Sequence, residues 1–311
     1  MTLILLQDVG KLIEDFCKDC TLRGLTDESI RRYKSSVDMY AGYFENADLT
    51  DVTMQMLKEY LGYLKFEQGV KQKTIENNFS AMSAFYDYLV FEDITDSNKI
   101  LPFRKRYLRM YKQGNDSSQK KLLSVEEMSR LVNSILDPRN KAMAILLAKT
   151  GIRRGEMLKI DVVDINWNDY SIKLKPKKKR SNLTVFFDDE CAIVLSRWLK
   201  VREQLKPETK ALFVSYQTNG RLSRNGAYQA VMKYARRLGF HNSDSDRLED
   251  HFGPHCFRHW FTTWLLRSDI QREYVKELRG DSRGEAIDIY HHIDREDLRK
   301  AYLACIPKLG I

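Results

Sequence analysis

The sequence predicts a mainly α-helical protein of two domains, with a small antiparallel β-sheet in the second. Three observations carry that expectation. Apolar residues recur at helical spacing through the N-terminal third, a polar glycine-containing run near 113–119 breaks the pattern, and residues from about Val162 to Phe187 switch to a period of two before helical spacing resumes. A chain of 311 residues is long for one domain and comfortable for two. Its 43% hydrophobic content can build ordinary cores, which argues against global disorder.

The first helix is marked by Val9, Leu12, Ile13 and Phe16. Thr26 or Asp27 can cap a second through Ile30, Tyr33, Val37 and Tyr40, and Thr50 or Asp51 can start a third with Met54, Leu57, Leu61 and Leu64 on one face. A fourth runs from about Thr74, with Ile75, Phe79, Met82, Phe85, Tyr86 and Leu89 as an apolar stripe read as core. Four amphipathic helices with short connections make a compact bundle. A basic stretch follows Pro102, and the polar run after it is the best interdomain linker, placing the domains at 1–112 and 122–311 with 113–121 between them.

In the second part, Ser124 and Glu127 have the spacing of a capping box that opens a new helix. The apolar segment from Met143 to Leu147 belongs to a helix ending near Gly151. Tyr170, Ile172 and Leu174 alternate with polar neighbours, as do Leu183, Val185 and Phe187, with turn residues at Asn166, Asn168 and Asp169 and again over 176–182. About three antiparallel strands result. Helices resume near Asp189 and continue to the end.

The formal net charge of +9 favours a polyanionic partner, because Lys and Arg that neutralise phosphates release condensed counterions. The distribution sharpens this: positive residues bunch at Arg104, Lys105, Arg106, Arg109 and Lys112, at Lys120 and Lys121, and from Lys175 to Arg180. Tyr107 and Tyr111 interleave with the first bunch. An isolated bunch is equally well a solvated helix face. Five cysteines without a framework suit a reducing cytoplasm, and Cys17 and Cys20 read as half-buried helix residues rather than a zinc site. The apolar run from Leu3 to Leu6 is too short for a signal peptide, and no run approaches the ~20 residues that span a bilayer.

Three short segments carry chemistry: TGIRRGE at 150–156, HCFRH at 255–259, and LRGD at 278–281 followed by Tyr290. Each alone has an ordinary explanation, such as a helix cap, two side chains on one helical face, or a core tyrosine. Together and in order they resemble the tyrosine recombinase family, which includes Xer-type recombinases and phage and archaeal integrases. The resemblance runs from about Leu122 to the C-terminus and matches the family's first arginine to Arg153, its HxxR to His255 and Arg258, and its nucleophile to Tyr290. The N-terminal bundle is similar, less specifically, to the family's helical, SAM-like core-binding domain.

The residue types suit the reaction that the resemblance implies. Attack at a phosphodiester phosphorus builds negative charge on the non-bridging oxygens, and arginine offers a planar fork of donors that stays charged. Arg153 and Arg258, from separate segments, can clamp both oxygens, and Glu156 can orient Arg153 from one helical turn away, or sit as a plain surface carboxylate. Pro254 at a helix start would put His255 and Arg258 in a first turn, where free N–H groups and the dipole favour an anion. His255 is the candidate base for Tyr290. The family's leaving-group acid is a hairpin lysine. Counting back from the strand at 183–187 favours Lys177 or Lys178, and Lys177 is our choice, with Lys178 and Lys179 left to hold DNA backbone beside Arg104, Lys105 and Arg106.

This chain departs from the family's pattern in two places. The lysines lack the usual Gly-Lys-Gly frame, and Asp281 stands where the family has His or Trp. An ionised carboxylate there would repel a phosphate, so the expectation is that Asp281 orients His255 or Tyr290, or sits on Arg279 or Arg283. His259 is expected to be structural, and His291 and His292 to lie at exposed helix positions or to touch DNA. The resemblance implies site-specific recombination of duplex DNA through a 3′-phosphotyrosyl link, by a homotetramer, with accessory DNA-bending proteins as further partners. It implies no metal, no nucleotide cofactor and no membrane. It implies also that the end of the chain packs on a neighbour, through Leu298, Tyr302, Leu303 and Ile306, unless these pack in cis. Type IB topoisomerase chemistry, or a DNA-binding relative without catalysis, stays open as an alternative.

Overall fold

The computed structural model describes residues 6–44, 49–108, 121–176, 180–245, 247–281 and 293–311. It divides into two compact units, Met1–Asp116 and Ser117–Ile311. The expected linker at 113–121 lies, apart from Lys121, outside the described residues, as do Lys177, Lys178, Lys179, Arg283, Tyr290, His291 and His292.

The first unit contains helices α1 (Leu6–Leu22), α2 (Asp27–Tyr43), α3 (Met54–Gly62), α4 (Gln72–Phe91) and α5 (Ile100–Tyr107). The expected stripe on α4 is core: Phe79, Met82, Phe85, Tyr86 and Leu89 are buried, and Phe16 from α1 meets the Phe85 ring edge-on at 5.4 Å. Burying each such ring is worth about 1.5–3 kcal/mol. Thr26 caps α2, its hydroxyl accepting from Ser29 N–H. The third helix starts later than the sequence suggests. Leu49–Asp51 is a short 3₁₀ turn, and the cap is Thr53, whose hydroxyl accepts from Met56 N–H at 3.1 Å. A fifth helix, α5, holds Arg104, Lys105 and Arg106 of the basic stretch and is anchored by Phe103, which stacks on Phe79 at 5.3 Å; Arg109 and Lys112 lie outside the described residues.

The second unit is built around α7 (Pro138–Thr150), whose side chains are almost all buried. The helix α6 (Val125–Asn133) precedes it and opens on the reciprocal box of Ser124 and Glu127. After α7 come one turn of helix, α8 (Arg154–Met157), and strands β1 (Ile165–Asn166), β2 (Ser171–Lys173) and β3 (Thr184–Phe186). They form an antiparallel sheet in the order β1-β2-β3, with Ile172 opposite both Ile165 and Val185, so these apolar residues share the face that joins the core. The helices α9 (Asp189–Gln204), α10 (Arg224–Arg237), α11 (Pro254–Arg267), α12 (Arg272–Arg279) and α13 (Arg295–Cys305) complete the unit.

Two details of this unit position the site. Gly151 ends α7 at φ +59°, and a Cβ there would collide with the Phe261 ring of α11. Only glycine therefore lets the 150–156 segment lie against α11. The chain end packs in cis: Leu298, Tyr302 and Ile306 are buried against Phe186, Phe261 and Leu265, and the Tyr302 hydroxyl donates to Lys149 O at 2.9 Å. Of the two alternatives for these residues, packing in cis is the one present, and Leu303 is only partly buried against the same cluster. Among the described residues no helix is long and apolar enough to cross a membrane.

Candidate functional site

Arg153 sits at the N-cap of α8 with extended backbone, which leaves its N–H free of the helix ladder. Glu156 takes up that group: Oε2 accepts from Arg153 N–H at 2.8 Å, and Oε1 accepts from Arg153 Nη1 at 3.1 Å. Glu156 is buried, so the surface-carboxylate alternative is corrected. Burial opposes its ionisation, but the Arg153 N–H and the charges of Arg180 and Arg153 outweigh that and hold its carboxyl below the usual range.

Pro254 is the first residue of α11, so His255 falls in its first turn as expected, while Arg258, the fifth helical residue, begins the second. His255 is exposed, whereas Arg258 is only 3% exposed. Arg258 Nη1 donates to Gly151 O at 2.8 Å, and Nη2 donates to Arg279 O at 3.1 Å and to Asp281 Oδ1 at 2.7 Å. The buried guanidinium is thus satisfied on both arms. Burial first, then the charges of Arg153 and Arg279, lower its pKa to about 10, against the pull of Asp281 and Glu156. His259 is exposed on the same helix, one residue on from Arg258.

Asp281 follows Gly280, which ends α12 at φ +60°. Its carboxylate stands among three arginines: Arg258 at 2.7 Å, Arg279 Nε at 3.0 Å in an ion pair, and Arg153 Nη2 at 3.7 Å. Of the sequence-based alternatives, the pairing with Arg279 is present. The contacts with Arg258 and Arg153 had no local signal, since they join segments far apart in the chain.

In sequence, Arg180 is simply the last cation of the bunch that begins at Lys175. Its side chain is fully buried, and Nη1 donates to Glu156 Oε2 at 3.1 Å. Four guanidiniums (Arg153, Arg180, Arg258 and Arg279) therefore surround two carboxylates, a positive excess suited to an anion. Lys175 is engaged elsewhere, with Asp164 at 2.8 Å and Asp161 at 3.2 Å at the base of the hairpin.

Two clefts share His255 and Arg258. One, of about 570 Å³, is lined by Arg153, Arg154, Arg224 and Tyr228 as well, and the other, of about 450 Å³, by His259, Thr262, Arg267 and Arg279. Arg154, the neighbour of Arg153 inside the 150–156 segment, and Arg224, which belongs to no motif, add two basic residues to the first cleft. His251 Nε2 is bonded to Ser245 O at 2.6 Å in its own loop, and among the described residues no group of three or more His, Cys, Asp or Glu could hold a metal. In the first unit, Lys105 and Arg106 are exposed at the end of α5, while Arg104 is half-buried and donates to Ser80 Oγ at 2.7 Å. Basic residues in a last turn also offset the helix dipole, which gives this bunch a structural role.

The second unit thus brings arginines and a histidine from separate segments to one cleft, the composition of a site for an anion. Residues 121–297 match the family model described as the phage integrase family, and residues 12–96 match that described as phage integrase, N-terminal SAM-like domain. The chain belongs to the phage integrase family. Among its relatives, tyrosine recombinase XerC of Vibrio cholerae serotype O1 is 27% identical over 302 residues, which is 93% of this chain and 89% of that protein. Tyrosine recombinase XerD of Oceanobacillus iheyensis is 26% identical over 308 residues, or 95% and 98%. The fold is that of a lambda integrase dimer bound to a COC′ core site (TM-score 0.67, 16% identity, 94% of this chain and 98% of that chain). It is also that of XerH bound to difH substrate in a pre-cleavage complex (TM-score 0.64, 20% identity, 95% and 81%).

Proposed function

We propose that this chain is a site-specific DNA recombinase that cuts and rejoins duplex DNA through Tyr290. The observation that carries the reading is the meeting of Arg153, Arg258 and His255 at one cleft in a member of this family. The Tyr290 oxygen attacks phosphorus, forming a 3′-phosphotyrosyl bond while the bond from phosphorus to the 5′-oxygen breaks. His255 takes the phenol proton, and Lys177 gives the leaving 5′-oxygen its proton. Ionising a free tyrosine at neutral pH costs about 4 kcal/mol, so a base and nearby positive charge are both useful. Arg153 and Arg258 hold the non-bridging oxygens as charge builds. The covalent link keeps the bond energy, and reversal rejoins the strand without ATP.

In this reading residues 1–112 bind the core of the DNA site, 122–311 carry catalysis and 113–121 join them. Arg104, Lys105, Arg106, Lys178, Lys179 and the cleft residues Arg154 and Arg224 contact backbone phosphates. The relatives' names speak for a partner DNA with specific sites, and a neighbour described as a lambda integrase tetramer bound to a Holliday junction supports a homotetramer. The test is a duplex nicked next to the scissile bond, so that the cut strand's end diffuses away and the covalent adduct accumulates. Wild-type protein should form the adduct, and Tyr290→Phe should bind the same duplex without forming it. No adduct on a site that the wild-type protein selects from random DNA would sink the proposal.

A further inference from the structure

Residues 180–182 dock onto the C-terminal end of α12. Asn182 Nδ2 donates to Glu277 O at 3.2 Å, and Arg180 donates to Leu278 O at 3.4 Å and Arg279 O at 3.0 Å. Ser181 N–H donates to Gly280 O at 3.4 Å, and the Ser181 hydroxyl to Asp281 O at 2.8 Å. The last turn of a helix leaves carbonyls without partners inside the helix. Here three neighbouring residues take up the carbonyls of 277 through 281 in succession. Gly280 fits under them: a Cβ at that position would stand 2.7 Å from Arg180 Cγ and 2.8 Å from Cζ and Nε.

Arg180 joins this staple to the phosphate-facing groups. Its Nε donates to Asn182 O at 2.5 Å, and Nη1 also donates to Glu156 Oε2, the carboxylate whose other oxygen holds Arg153. Asp281, fixed by the staple, holds Arg258. One guanidinium thus lies behind both arginines of the cleft. Its side chain is fully buried, so it cannot reach a DNA phosphate itself. Lysine could not replace it, because a single ammonium lacks the fork that serves three directions at once.

We propose that Arg180 is a positioning residue for strand cleavage, setting the separation of Arg153 and Arg258 through Glu156 on one side and the 277–281 carbonyls and Asp281 on the other. The inference rests on the function proposed above. It differs from a purely structural role in what it moves. A misplacement of catalytic groups by about 1 Å costs on the order of 10²-fold in rate, whereas DNA affinity depends on exposed residues that Arg180 does not touch.

The test uses the full chain and a nicked duplex carrying the site selected by the wild-type protein from random DNA. Binding affinity and the single-turnover rate of adduct formation are measured for wild type, Arg180→Lys, Arg180→Met, Glu156→Gln and the double variant Arg180→Met with Glu156→Gln. Adduct formation should fall by about 10²-fold in both Arg180 variants, with affinity within about threefold of wild type, and the double variant should be no slower than the worse single. A folded Arg180→Lys that cleaves at the wild-type rate overturns the proposal. So do losses of cleavage and affinity in equal measure, multiplicative losses in the double variant, or failure of both Arg180 variants to fold. Wild-type protein that forms no adduct would instead overturn the function itself, before any variant is compared.

Discussion

Arg258 Nη2 lies 2.7 Å from Asp281 Oδ1, so the cleft's most buried arginine is held by a carboxylate where relatives by resemblance have a histidine or tryptophan. The same carboxylate pairs with Arg279 and approaches Arg153 at 3.7 Å. Asp281 thereby neutralises part of the charge a phosphate would meet, while fixing the direction of the Arg258 fork.

Asp281→Asn separates those two effects, because it keeps the shape and removes the charge. DNA binding should tighten, and the slope of log K against log salt should steepen by about 0.9 as Arg279 becomes free for one more phosphate. Adduct formation should slow, since Arg258 loses its charged partner. A variant with unaltered slope and unaltered cleavage would leave Asp281 with a local folding role only.

Arg153→Ala and Arg258→Ala should each lower adduct formation by about 10²–10³-fold, the usual effect of removing one transition-state donor. Their stabilities should differ. Arg258 is buried and bonded to Gly151 O, so its loss strands that carbonyl at about 1–3 kcal/mol (Arg279 O keeps its bond from Arg180), whereas Arg153 is 36% exposed and should unfold near the wild-type temperature. Thermal melts beside single-turnover rates check both halves.

Gly280→Ala and Gly151→Ala should destabilise the second unit. Each glycine has positive φ, which costs another residue about 1–2 kcal/mol, and the new methyl group would press on Arg180 or Phe261 respectively, adding about 1–3 kcal/mol of overpacking. Melting temperatures within a degree of wild type would show that the packing yields more easily than this.

Acid should destabilise the second unit below about pH 4.5, the ordinary value for a glutamate side chain. Glu156 and Glu190 both titrate lower when folded: burial opposes this in each, but the Arg153 N–H and two arginines win at Glu156, and Lys149 with the N–H groups of Leu309 and Ile311 win at Glu190. A depressed folded value means that the stabilisation is complete above pH 4.5 and is lost as pH falls through the lower folded values. Urea midpoints against pH should flatten in Glu156→Gln and Glu190→Gln.

Lys149→Met tests the fully buried lysine that donates to Asp188 Oδ2 and Pro307 O, both at 2.7 Å, and to Glu190 Oε2 at 2.5 Å. Removing one partner of a buried ionic cluster strands the others, so a loss of about 3–5 kcal/mol is expected. Equilibrium unfolding in urea measures it. A loss under 1 kcal/mol would place the tail at 307–311 outside the cooperative unit.

Much of the fold was legible because its signals are local. Ser124 with Glu127, Pro254 before His255, and the alternation around Ile172 and Val185 each act over a few residues, through one turn of helix or one strand pair. The misses were contests that distant partners decided. Thr53 rather than Thr50 caps α3 after the chain turns at Leu49–Asp51, and α5 forms where Phe103 meets Phe79. Tyr302 and Ile306 look available for a neighbour until Phe186 and Phe261 cover them.

By itself the sequence determined the order of residue types that marks the family, with arginines at 153 and 258, a histidine at 255 and a tyrosine at 290 as the expected phosphate-handling set. Only the tertiary structure decided what holds the two arginines. Arg180 reads as one more cation in the run from Lys175, yet burial forces it to find acceptors, and it finds them at Glu156 and at the end of α12. Asp281 reads as an intruder in an anion site, yet it is the counter-charge that lets Arg258 lie inside. The reason is physical: chain spacing sets which groups share a turn, but a charge taken out of water must be paired, and the partner is whichever group the packed core brings within reach.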